Sequence, residues 1–204
     1  MNIILVSDIF GKTPALIQLG KAMGATAIID PYDGVDMGFE DESNAYAYFV
    51  EHVGFERYFE ILQSELQNQI SPIHSMNVLI GFSIGASAIW KLSGNPKITN
   101  IERGICYYGS QIRNLKTVTP RFDIDLIFPE KEDHFDVLAL QKALYQKENV
   151  QITQTNYLHG FMNLYSKNYN QTAYDEHIRE LRNNTNQLLN TNGIRATNNN
   201  HDIL

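Results

Sequence analysis

Short apolar runs recur along the chain at Ile3 to Val6, Thr26 to Ile29, Val78 to Ile80, Ile105 to Tyr107, Ile124 to Phe128 and Val150 to Thr153. They run continuously instead of alternating with polar residues, the pattern of strands whose two faces are both covered. Helical stretches lie between and after them: Thr13 to Met23, where Pro14 suits a first turn, Phe55 to Gln69, Ser83 to Leu92 and Asp136 to Lys147. A further helix is predicted over Gln171 to Leu189 from the apolar positions Tyr174, Ile178, Leu181 and Leu188. Strands that alternate with helices predict crossover connections, so the fold class is α/β with a mostly parallel sheet and helices on both faces.

Two segments stand outside this alternation. Pro31 to Gly54 is rich in acidic and aromatic residues, with Tyr32, Tyr46, Tyr48 and Phe49 among them. It reads either as a short helix over the mouth of a pocket or as a surface excursion. From Asn183 the chain is crowded with Asn and Thr, and beyond Leu189 it offers little to bury. Residues 191–204 are therefore expected to be a flexible polar tail on a single domain of residues 1–190.

A chain of 204 residues fits one domain that buries roughly 70% of its unfolded surface. With 16 basic and 23 acidic residues the net charge is −7, the wrong sign for nucleic acid or an anionic membrane, and neither partner is expected. The one cysteine, Cys106, reads as a small buried apolar residue and has no partner for an internal disulfide. Met1 to Asp8 lacks the basic leader and long apolar core of a signal peptide. No run reaches the ~18 apolar residues that span a bilayer, so the expected location is cytoplasmic.

Candidate chemistry centres on Gly81-Phe82-Ser83-Ile84-Gly85, which follows the run Asn77 to Ile80 and opens the helix from Ser83. A serine on a sharp strand-to-helix turn is pushed outward, and glycine is needed at both flanks because a side chain there would clash as the chain reverses. In a chain with 13 glycines and ten serines the pattern arises by chance about 0.04 times, so the strand–turn–helix setting makes it informative. The plainer alternative is a glycine-rich turn that only lets helix and strand pack closely.

A serine hydroxyl is a weak nucleophile unless a histidine takes its proton and a carboxylate orients that histidine. After Ile124 to Phe128 the chain reads Pro129-Glu130-Lys131-Glu132-Asp133-His134-Phe135, and after Val150 to Thr153 it reads Gln154-Thr155-Asn156-Tyr157-Leu158-His159-Gly160-Phe161. Acid then histidine, each on a loop after a later strand, is the order in which such partners follow a serine elbow. In a parallel sheet those loops share one edge. His159, just past the last strand, is the expected base. Of the neighbouring acids Asp133 is the expected orienting residue, because it stands deepest in the loop before Phe135 and its short side chain loses less freedom; Glu132 is second. His52, His74, His134 and His177 carry no motif. Backbone N–H groups of Ile84 and Ile9 are the expected oxyanion donors, and no metal or cofactor is called for.

These segments resemble the dienelactone hydrolase branch of the α/β-hydrolases. Asp8-Ile9-Phe10-Gly11 is similar to that family's Glu-Ile-Phe-Gly loop, Asp30-Pro31-Tyr32-Asp33-Gly34 to its Pro-Asp-Leu-Tyr-x-Gly stretch, and Gly81 to Gly85 to its nucleophile elbow. Tyr107-Tyr108-Gly109, Glu130 to Phe135 and His159-Gly160-Phe161 follow in the same order. The resemblance, over residues 3–165, implies an α/β-hydrolase fold reduced at the N-terminus. It also implies a catalytic triad of Ser83, Asp133 and His159 with oxyanion donors Ile9 and Ile84. The chain departs from the family's lactone-cleaving members in three places: Ser83 stands where they carry a cysteine, Asp8 where they carry a glutamate, and the Asn163-Leu164 region where they carry a substrate-binding arginine. Three readings follow. The first is a serine hydrolase of a small ester, thioester or lactone; the second is a silent relative that binds a ligand or partner. The third is a lactone hydrolase for an anionic substrate, with Lys12, Arg113 or Arg121 as its cation.

Overall fold

The structure, a computed structural model, describes residues 2–69 and 77–198. Six strands appear among them: β1 (Asn2–Val6), β2 (Ala27–Ile29), β3 (Asn77–Phe82), β4 (Ile101–Tyr107), β5 (Asp123–Phe128) and β6 (Val150–Gln154). They form one sheet in the order β2-β1-β3-β4-β5-β6, and every described pair is parallel. The connecting helices are α1 (Pro14–Met23), α2 (Glu42–His52), α3 (Gly54–Gln69), α4 (Ile84–Ser93) and α5 (Val137–Leu144), and α6 (Gln171–Asn198) follows the last strand.

Local chemistry sets the helix ends. Thr13 caps α1 by accepting the Leu16 N–H, with Pro14 at the first turn, and Gly24 ends the helix at φ 66°. Asp136 caps α5 through the Ala139 N–H at 3.0 Å, and Asp41 caps α2 through the Asn44 N–H at 2.8 Å.

Alternate strand residues feed two cores. Ile4, Val6, Leu79, Cys106 and Leu126 pack with Leu62 and Leu66 of α3, Ile89 and Trp90 of α4 and Leu140 of α5. Ile3, Leu5, Val78, Ile80 and Ile105 pack on the other face with Leu19 and Met23 of α1 and Ile178 and Leu181 of α6. Each such aliphatic side chain contributes about 1.5–3 kcal/mol on full burial.

Three expectations change. β5 and β6 are not buried on both faces: β5 alternates and β6 is mostly half-exposed or exposed, β6 being an edge of the sheet among the described residues. Pro31 to Gly54 does hold a helix, α2, but α2 packs against α3 with Ala45 and Phe49 buried, and none of its residues lines the cleft described below. The last helix runs past Leu189 to Asn198, since an existing helix gains one hydrogen bond per residue added. Residues 199–204 of the expected tail, and His74, lie outside the described residues.

Candidate active site

The strand order reverses between β1 and β3: the chain moves from β1 out to β2 and then returns to the other side of β1. The carboxyl ends of β1 and β3 therefore flank the crevice where ligands enter open α/β sheets. Asp8 to Gly11 follows β1 and Ser83 follows β3.

Ser83 has φ 50° and ψ −112°, a backbone region closed to most side chains and worth about 1–3 kcal/mol of strain. Its N–H is held by the Tyr107 carbonyl at 2.9 Å, and its carbonyl accepts the Ser87 N–H at 3.1 Å. Both flanking glycines are sterically required. A Cβ on Gly85 would stand 2.3 Å from the Ser7 carbonyl oxygen and 2.5 Å from that of Val6, and one on Gly81 would stand 2.8 Å from the Ala86 nitrogen.

Three separated loops then meet. His159 Nε2 is 3.0 Å from Ser83 Oγ, and His159 Nδ1 is 2.7 Å from Glu132 Oε1. A carboxylate can only accept, so Nδ1 carries the proton and Nε2 is left to accept from the serine. The Asn168 side chain donates to the His159 carbonyl at 2.8 Å, and the Glu132 side chain is 9% exposed. The acid expected from sequence, Asp133, is not part of this relay. Glu132 and Phe135 form an antiparallel bridge, which puts their side chains on one face of a tight turn. Phe135 packs on the core, so Glu132 faces inward while Asp133 and His134 sit exposed at the tip.

Ile84 opens α4, and its N–H has no carbonyl one turn back in the helix. In the loop after β1, the Phe10 N–H is bound to Asp8 Oδ1 at 2.9 Å and the Gly11 N–H to the Asp8 carbonyl at 3.2 Å. That leaves the Ile9 N–H, while the Ile9 carbonyl is fixed by the Tyr32 hydroxyl at 2.7 Å.

Asp8 and Asn163 were legible from sequence only as departures from a family pattern. The Asn163 amide donates to Asp8 Oδ2 at 2.6 Å, so the two departures meet in space. Burial pushes the Asp8 carboxyl up to about 6, against the pull of the Phe10 N–H, the Asn163 amide and His159. Tyr108, at φ 42°, lies with its ring 4.9 Å from that of His159. A cleft of about 280 Å³ adjoins these groups, lined by Asp8, Phe82, Tyr108, Leu19, Met162 and Tyr174 among others.

The remaining candidates sit elsewhere. Lys12 lies beside Gly34, the Arg113 guanidinium lies 5.3 Å from the Phe135 ring centre, and Arg121 lines a separate hollow with Phe59 and Lys91. Buried His177 approaches the Tyr107 hydroxyl at 3.4 Å, and His52 packs on Tyr48. Cys106 is buried. Among the described residues no group of three or more His, Cys, Asp or Glu is arranged to hold a metal ion, and no helix is long and apolar enough to cross a membrane.

No family model matches the chain. Over 196 residues it is 30% identical to the uncharacterized protein YczH of Bacillus subtilis (strain 168), covering 93% of this chain and 94% of that protein. Among solved structures it superposes on a dienelactone hydrolase-like promiscuous phosphotriesterase from metagenomic libraries with a TM-score of 0.63 at 14% identity, covering 92% and 86% of the two chains. The dienelactone hydrolase of Anabaena variabilis gives 0.62 at 12% identity, covering 90% and 84%. The α/β hydrolase domain-containing protein 10 of mouse gives 0.62 at 9% identity, covering 92% and 90%. At these identities the shared property is the α/β-hydrolase fold.

Proposed function

The chain belongs to the family of Bacillus subtilis YczH and has the α/β-hydrolase fold, and on that premise we propose that it is a serine hydrolase of small carboxylic esters, thioesters or lactones. The observation that carries this reading is the relay from Glu132 Oε1 to His159 Nδ1, 2.7 Å, and from His159 Nε2 to Ser83 Oγ, 3.0 Å. Ser83 Oγ attacks the carbonyl carbon as His159 takes its proton, and the developing oxyanion is received by the N–H groups of Ile84 and Ile9. His159 then gives the proton to the departing alcohol or thiol. Water, deprotonated by His159, attacks the acyl–Ser83 ester and releases the acid, and the proton returns to Ser83. Glu132 holds the imidazole and stabilises its cationic form throughout.

The silent-relative reading calls for a histidine out of reach of the serine, and the 3.0 Å contact argues against it. The anionic-lactone reading calls for a cation in the cleft. Lys12, Arg113 and Arg121 are all absent from its lining, which argues against a carboxylate-bearing substrate. A fluorophosphonate probe tests the main reading: it labels the wild type and not Ser83→Ala. An unlabelled wild type, or equal labelling of both proteins, sinks it.

A further inference from the structure

We propose that the cleft bordered by Asp8, Phe82 and Tyr108, which Ser83 and His159 do not themselves line, binds an alkylammonium group, so that the preferred substrate carries a cationic arm; this rests on the serine-hydrolase reading for its catalytic part only. At about 280 Å³ the cleft has room for roughly nine non-hydrogen atoms at the ~30 Å³ share of one water molecule. Its walls include two aromatic pairs: Phe82 with Tyr108, centroids 6.3 Å apart, and Tyr169 with Tyr174, centroids 5.9 Å apart. Leu16, Leu19, Met162 and Leu164 add to the apolar surface.

The one charged residue in this lining is Asp8, and no Lys, Arg or His contributes to it among the described residues. Asp8 accepts from the Phe10 N–H and the Asn163 amide and makes no described ion pair. A carboxylate has about four acceptor sites, so roughly two remain for a ligand. The titratable groups that face Asp8 are His159 and Glu42 and the hydroxyls of Tyr32, Tyr58 and Tyr108; none is a fixed cation. The Tyr108 hydroxyl is buried beside the Met162 backbone. Arg182 acts on Tyr174 from a distance, but its guanidinium is bound to the Ala22 carbonyl at 3.0 and 3.2 Å and does not line the cleft. A half-buried carboxylate among aromatic rings, with no cation to answer it, is the chemistry that recognises ammonium groups: charge supplies attraction and ring faces supply desolvated contact.

The test reads binding apart from turnover. Calorimetric titration with butyltrimethylammonium is made on the wild type, Ser83→Ala, Asp8→Asn and Gln18→Lys; Gln18 is exposed and lines the same cleft, so its change leaves the core alone. The cation is expected to bind wild type and Ser83→Ala alike, about tenfold or more weaker in Asp8→Asn and in Gln18→Lys, and butyrate is expected not to bind. Absence of cation binding, butyrate binding of equal strength, or undiminished cation binding in both charge variants overturns the proposal. In the catalytic arm, kcat/KM for 2-(trimethylammonio)ethyl acetate is compared with 3,3-dimethylbutyl acetate, its uncharged isostere. For the acyl side, the p-nitrophenyl ester of 4-(trimethylammonio)butanoate is compared with that of 5,5-dimethylhexanoate. A cationic preference of about tenfold in at least one pair is expected, and a preference for the isostere in both overturns it. Failure of fluorophosphonate labelling with cation binding intact removes the hydrolase reading and leaves the site.

Discussion

The identity of the acid that orients His159 is open to a direct contrast between adjacent residues, Glu132→Gln and Asp133→Asn. Glu132 Oε1 lies 2.7 Å from His159 Nδ1 and the Glu132 side chain is 9% exposed, so little water screens the pair. When Ser83 gives up its proton the imidazole becomes cationic. With charge centres about 4 Å apart and an effective dielectric of about 20, the carboxylate stabilises that cation by ~4 kcal/mol, which is ~10³ in rate. Glutamine removes the charge and can present its amide N–H toward Nδ1; a histidine so faced accepts at Nδ1, carries its proton at Nε2 and can no longer take one from Ser83. Glu132→Gln is therefore expected to lower kcat by about 10³ with little change in KM. Asp133, exposed at the turn tip, is expected to tolerate Asn within about twofold. Initial rates on p-nitrophenyl acetate decide the matter, with thermal melts to show that both variants fold. A large loss in Asp133→Asn beside a small one in Glu132→Gln refutes the assignment.

Gly85→Ala is expected to destabilise the fold by about 3 kcal/mol or more, because its Cβ meets two backbone oxygens, at 2.3 and 2.5 Å, that cannot move aside; an unchanged melting temperature contradicts this. The Asp8 carboxyl, raised by burial to about 6 from about 3.9 in an unfolded chain, binds more protons folded than unfolded in that window. Its contribution to stability therefore grows as pH falls from 7 through 6 toward 4, by up to about 3 kcal/mol, and Asp8→Asn is expected to remove it. Urea denaturation of both proteins at pH 7 and 4.5 measures the difference, and parallel pH dependences refute it. Asn168→Ala frees the His159 carbonyl, held at 2.8 Å, and is expected to lower kcat about tenfold with little effect on KM; an unchanged kcat shows that the loop is positioned by other contacts.

The sheet and most helices were legible in the sequence because their signals are local. Thr13 and Pro14 mark the start of α1, Asp136 marks that of α5, and the strand runs are dominated by Ile, Val and Leu. Ser83 and His159 were legible for a related reason: each sits where a strand ends, and topology carries strand ends to one edge. Glu132 ranked second to Asp133 because the choice among Glu130, Glu132, Asp133 and Asp136 depends on a two-residue turn. Its only sequence signal was Phe135, an apolar residue whose bridge partner shares its inward face. The pairing of Asp8 with Asn163 joins residues 155 apart, and no local pattern encodes that contact. The exposed edge of β6 was missed because apolar runs do not reveal which strand lacks a neighbour.

The relay's geometry is carried by backbone as much as by side chains. Ser83 N–H bonds to the Tyr107 carbonyl at 2.9 Å, Tyr108 N–H to that of Ile127 at 2.8 Å, and Thr155 N–H to that of Phe128 at 2.9 Å. These bonds extend the pairings of β3 with β4, β4 with β5 and β5 with β6 by one step beyond the strands themselves. The serine turn, the Tyr108 turn and the start of the histidine loop are thus registered against one another by the ladder that orders the sheet. The Glu130 N–H, bonded to the Tyr157 carbonyl at 2.7 Å, ties the acid loop to the histidine loop directly. Two residues in this row, Ser83 and Tyr108, have positive φ, and strain of that kind persists only where the surroundings over-determine the conformation. The same backbone bonds that set the distance from serine to histidine therefore also hold those two strained turns in place.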